Sequence, residues 1–247
     1  MSSTIETGHT KNVANFEQLI SFCKGYGAAY NPSKLTLNTA QLDAKLAAAK
    51  TILSGVRQSE TAFNNITNTR MQAFKPLRPL ATQLVNALDA TDASAETVKD
   101  ARTINRKLQG QRAVPKETAS AGAGPATTPA DKTISASQQS FDQQIAHFSK
   151  LVQLLESDTN YQPNEAHLKT PELQAKLVTL QTANTAVINA YTTWSNDRIQ
   201  RDNLLYNPVV GIKKTGEDVK FYIKSVFGAS SPQYKQVSGI AFKQVPK

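Results

Sequence analysis

Three histidines and one cysteine are the side chains in this sequence best suited to nucleophilic or proton-transfer chemistry. A nucleophile needs a base within reach and a third group that orients the base. His9 falls in what reads as a mobile N-terminal arm, residues 1–12; His147 stands beside Phe148 in a helical pattern, and His167 follows Glu165 in a turn. A metal would have to draw on Asp158, Glu165 and His167, which share that turn and have no HxxxH or ExxH partner on a helix. His167 is therefore expected as an exposed turn residue. Cys23 lies on an apolar stripe, which predicts core packing rather than a reactive thiol. Glu217 and Asp218 are neighbours along a helix and so diverge. The expectation is a protein without catalytic residues, metal or cofactor, and not an enzyme.

The elements that carry these residues repeat. Residues 13–108 and 138–243 read as two diverged copies of one unit. Phe16, Ile20, Cys23, Gly27 and Tyr30 stand at spacings of four and three, opposite Phe141, Ile145, Phe148, Val152 and Leu155 in the second copy. A turn follows in each, with Tyr30-Asn31-Pro32 matching Tyr161-Gln162-Pro163.

The second helix is the clearest match. Leu42, Leu46, Ala49, Leu53, Val56, Glu60 and Phe63 align with Leu173, Leu177, Leu180, Asn184, Val187, Tyr191 and Trp194 at a constant offset of 131. Each should run about 35 residues, or roughly 50 Å, from N-caps at Thr39 and Thr170 to breaks before Lys75-Pro76 and Asn207-Pro208. Asn184 and Glu60 interrupt the apolar stripes, either fixing helix register or marking where the bundle opens to water. Phe63 and Trp194 read as an aromatic core layer, with a partner contact as the alternative. A third helix spans Leu80, Leu84, Val85 and Leu88 in one copy and Val219, Tyr222, Ile223 and Val226 in the other; the fourth begins at Ser94 and near Ser231-Pro232.

The expected architecture is all-α: a tandem-duplicated helical bundle, copies 13–110 and 136–247, with the two long amphipathic helices related by a pseudo-twofold axis. Residues 111–135 join them as a flexible linker rich in Ala, Gly, Pro and Thr, since no large apolar residue lies between Val114 and Ile134. Gly122-x-Gly124 within it lacks the preceding strand and the lysine spacing of a phosphate loop. No run approaches the roughly 18 apolar residues of a membrane span, and the N-terminus has neither a basic lead nor an apolar run. A single cysteine cannot form an internal bridge, so nothing depends on an oxidising compartment, and a protein made in the cytoplasm is expected, with later export by a signal-independent route as the alternative.

Charge is the remaining signal. The formal charge is +9, and two segments account for all of it: Lys99–Glu117 carries a net +4 and Ile212–Lys247 a net +5. Lys99, Arg102, Arg106, Lys107, Lys213, Lys214, Lys220 and Lys224 are the candidate anion or partner contacts. Tyr222, Phe227, Tyr234 and Phe242, interleaved with the C-terminal lysines, would anchor an interface if exposed. The expected function is that of a structural or interaction protein whose partner is itself or another protein, self-assembling into an oligomer or filament. The alternative is a basic anion-binding module, nucleic acid being the leading ligand.

Overall fold

A computed structural model describes residues 4–111 and 139–244. Those residues contain no strand, and none of their helices is long and apolar enough to cross a membrane. The helices are α1 (Thr4–Gly25), α2 (Thr39–Phe74), α3 (Leu77–Asp89), α4 (Ala95–Leu108), α5 (Phe141–Ser157), α6 (Thr170–Tyr206), α7 (Ile212–Phe227) and α8 (Pro232–Ser238). The long pair, α2 and α6, have 36 and 37 residues. They end just ahead of Pro76 and Pro208, as the ban on helical backbone before proline requires.

Local chemistry sets the helix starts. The hydroxyls of Ser94, Ser140 and Ser231 accept from the backbone N–H of Thr97, Gln143 and Tyr234, capping α4, α5 and α8. Thr39 and Thr170, expected as N-caps, are instead the first helical residues. At α2 the cap is Asn38, whose Oδ1 accepts from Gln41 N at 2.8 Å, because its carboxamide reaches the orphan N–H that the Thr39 hydroxyl sits too far along to serve.

The start of α1 also corrects an expectation. Residues 4–12, part of the expected mobile arm, are helical, and His9 and Asn12 are buried. Asn12 bonds the Tyr206 hydroxyl and the Lys243 backbone, and His9 Nδ1 meets the same hydroxyl, which offsets part of the penalty for burying them.

The described chain forms two compact bodies, cut differently from the expected 13–110 and 136–247. The first takes residues up to 64 and from 189 onward, so that α1, the front of α2, the end of α6, α7 and α8 share one core of Phe16, Leu19, Ile20, Leu42, Leu205, Val219 and Ile223. The second takes residues 65–188: the end of α2, α3, α4, α5 and the front of α6, around Leu77, Leu84, Leu88, Phe148, Leu151, Leu155 and Leu173. A helix of about 50 Å outruns the core of a small body. The apolar stripe of α1 is covered by α7 and α8, and that of α5 by α3 and α4. Each fully buried Leu or Phe contributes roughly 1.5–3 kcal/mol to its body. The expected linker falls almost wholly in 112–138, outside the described residues.

Each body contains the same short device. After α1 in the first and α5 in the second the chain turns, and a buried tyrosine donates its hydroxyl to a carbonyl seven residues on: Tyr30 to Leu37 O at 2.7 Å, and Tyr161 to Leu168 O at 2.9 Å. The accepting leucines close short 3-10 turns, Leu35–Leu37 and Ala166–Leu168, immediately ahead of the long helices.

Candidate interaction surface

The residues with capacity for chemistry lie on different elements: His9 and Cys23 on α1, His147 on α5 and His167 in the turn ahead of α6. His9 Nδ1 lies 2.7 Å from the Tyr206 hydroxyl, to which Asn12 Nδ2 also donates at 3.1 Å. His147 is only 4% exposed, and burial, then Lys107 and Lys150, hold its imidazole below the ordinary value. His167 is exposed on its turn, as expected. No group of three metal-ligating side chains occurs among the described residues. Cys23 is buried, which pushes its thiol up to about 11 against the opposing hydrogen bond with Tyr30, so the thiolate is scarce at neutral pH.

The two basic segments behave differently. On α4, Arg102 pairs with Asp89 at 2.7 Å, Arg106 is half-buried, and Lys99 and Lys107 are exposed. On α7 all four lysines are engaged within the chain. Lys213 stands 4.0 Å from Glu217, Lys214 pairs with Asp218, and Lys224 lies 5.7 Å over the Tyr234 ring. Lys220 donates to Ser238 O and Ile240 O, both at 2.9 Å, tying down carbonyls at the end of α8. Arg112, Lys116 and Lys247 lie outside the described residues.

The four C-terminal aromatics are half-buried and rim the core of the first body. Tyr222 meets Tyr30 edge-on at 5.3 Å and accepts from Asn31 N, and Phe227 lies 5.2 Å from Tyr26. Tyr234 packs on the same cluster, and Phe242 meets the Phe16 ring at 6.4 Å. Room for Phe242 comes from Gly216 in α7, where an added Cβ would stand 2.5 Å from the ring. Farther along, Phe63 and Trp194 stack at 5.3 Å, with Tyr191 on the edge of Trp194 and Arg198 over its face.

A second set of apolar residues, absent from the expectations above, faces solvent on the first body. Leu35 is 76% exposed, Val209 73%, Phe221 66% and Val210 60%. Val209 and Phe221 line a groove of about 570 Å³ together with Pro208, Lys34, Lys214 and Asp218. The turn that carries the valines is firmly built. Asn207 Oδ1 accepts from the N–H of both Val209 and Val210, and Lys45 Nζ donates to Val210 O at 2.7 Å and to Thr215 Oγ1. Burial, then the nearby Lys34, lower the Lys45 ammonium, with Asp218 partly offsetting both. Burial alone would raise the Asp218 carboxyl, but hydrogen bonds from Lys214 and Lys34 outweigh it and hold the carboxyl low, so it is ionised at neutral pH. The sequence signals for this surface were two β-branched residues in a turn after Pro208, and Phe221 set off the stripe of Val219, Tyr222 and Ile223.

No family model matches the chain, and neither a curated protein nor a solved structure matches it significantly.

Proposed function

We propose that this chain is a non-enzymatic structural or interaction protein that self-assembles, a second copy covering the face formed by Leu35, Val209, Val210 and Phe221. The observation that carries this reading is the exposure of those four large apolar side chains, two of which, Val209 and Phe221, line one groove. Their rim favours a second copy as the occupant. Lys34 and Lys214 flank the ionised Asp218, so the patch carries both signs beside its apolar centre. A surface of that kind complements itself when two copies meet about a twofold axis, each ammonium facing the other copy's carboxylate.

The same reading includes an internal duplication with pseudo-twofold related halves. Its support is local: the Tyr30 and Tyr161 bonds, the paired 3-10 turns, and serine caps at Ser94 and Ser231 all stand at corresponding places. An anion-binding role is the second reading, favoured by Lys99 and Lys107, which stand exposed on α4.

Sedimentation velocity across protein concentration tests the assembly. The protein should associate into larger species as concentration rises, and Val209→Ser with Phe221→Ser should abolish association while leaving helicity unchanged. A strict monomer at tens of micromolar, or association untouched by the double change, rejects the reading. For the second reading, DNA or RNA binding at low salt should weaken on Lys99→Gln with Lys107→Gln.

A further inference from the structure

We propose that the cavity between α1, α8 and the segment following α8 binds a small polyanion carrying two or more phosphate groups. Its volume, about 480 Å³, falls within the roughly 300–1,000 Å³ of small-molecule sites. It lies wholly within the first body and apart from the apolar groove.

Lys11, Lys235 and Lys243 stand around the cavity, and no acidic residue lines it among the described residues. Nor does any of the three form an ion pair with a described residue. This sets them apart from the α7 lysines, each of which has a carboxylate, carbonyl or ring to meet. Three like charges gathered on one concave surface repel one another, and an anion bound among them relieves that repulsion.

The neutral lining suits the same ligand. Gln18 and Gln236 both face the cavity, and Gln236 Oε1 shares the Tyr26 hydroxyl proton with the nearer Gln233 O, which turns the two N–H donors of the Gln236 carboxamide toward other acceptors such as phosphate oxygens. The wall that carries Lys243 is held in place before any ligand arrives. Asn12 and the Lys243 backbone exchange hydrogen bonds at 2.8 and 3.1 Å, and Asn15 donates to Ala241 O at 2.7 Å. Between these clips Phe242 packs against Phe16. Two of the lysines therefore ride on helices and the third on a pinned segment, and little ordering cost remains for binding. Ammonium groups recognise phosphate as point charges, and three of them match a ligand with at least two phosphates.

Calorimetric titration with inorganic tripolyphosphate at low ionic strength tests the site, with a short single-stranded oligonucleotide as a parallel arm. One saturable site per chain is expected. Lys11→Gln, Lys235→Gln and Lys243→Gln together should weaken it at least about tenfold, and Gln18→Glu with Gln236→Glu should do the same by placing carboxylates in the cavity. Lys99→Gln, Lys107→Gln and Lys150→Gln remove the same charge elsewhere and should change affinity by less than about twofold, with circular dichroism showing every variant folded. Absence of saturable binding, equal losses from the two lysine sets, or binding of the oligonucleotide alone overturns the proposal.

Discussion

Tyr30 and Tyr161 make the same buried hydrogen bond in the two bodies, yet the side chains around them diverge. In the second body, Phe141 is half-buried, its ring centre 4.8 Å from that of Phe74 in an edge-to-face contact and 3.9 Å beneath the Arg70 guanidinium. Arg70 also donates to Asn184 Oδ1, and Asn184 donates to Asp142, so a polar chain closes that side. In the first body, the aligned Phe16 is fully buried, and the residue aligned with Asn184 is the core residue Leu53. There the C-terminal segment, carrying Phe242, covers the core. The surfaces differ in the same sense. Phe221, Val209 and Leu35 face solvent in the first body, while the position aligned with Leu35 at the offset of 131 holds Ala166. Two bodies that make the same tyrosine bond thus differ in how their cores are closed, because the stripes that build a core leave the remaining positions free.

Phenylalanine truncation should separate the two closures most strongly. Phe16→Ala is expected to cost the first body about 3–5 kcal/mol, as deletion of a fully buried ring does, while Phe141→Ala should cost the second clearly less, about 1–2 kcal/mol. Hydrogen exchange read separately on α1 and α5 measures both. Equal losses would break the contrast between a sealed and a half-open aromatic layer.

The shared tyrosine bond should behave alike in both bodies. Tyr30→Phe and Tyr161→Phe each remove a donor from a buried carbonyl and should each destabilise by about 1–2 kcal/mol in urea unfolding. A loss confined to one body would show that the resemblance between the two turns is geometric without being energetic.

The smallest effect belongs to pH. His147 is buried and its pKa is lowered, so the unfolded chain binds its proton more readily than the folded one. Its stability contribution is fully present above the unfolded value of about 6.5 and is lost as pH falls toward the folded value. Acid titration followed by hydrogen exchange on α5 should show this loss, and His147→Phe should remove it. The aligned residue in the first body is Phe22, which does not titrate, so the loss belongs to position 147 alone of the aligned pair.

Much of the helical plan was readable from spacing alone. Four-three stripes placed Phe16, Ile20, Leu42 and Leu46 on buried faces, and prolines marked where both long helices stop, because periodicity and the missing N–H of proline are local properties. The candidate site was less readable. Tyr222, Phe227, Tyr234 and Phe242 sit between lysines in the chain, so composition alone does not separate a ring packed inward from a ring that faces a partner. The same holds for Lys220, whose partners are backbone carbonyls eighteen and twenty residues away.

What the sequence by itself determined was the all-helical class, the positions of the breaks after the long helices, and which stripe of each helix is apolar. These follow from backbone sterics and a period of about 3.6 residues. Which stripe covers which was decided only in three dimensions: α1 meets α7 and α8, and α5 meets α3 and α4. Apolar faces attract without direction, so many pairings satisfy the same pattern, and volume selects among them. Gly216 opening a space for Phe242 is one such selection, and the clips from Asn12 and Asn15 that hold Phe242 there exist only once α1 and the C-terminal segment have met.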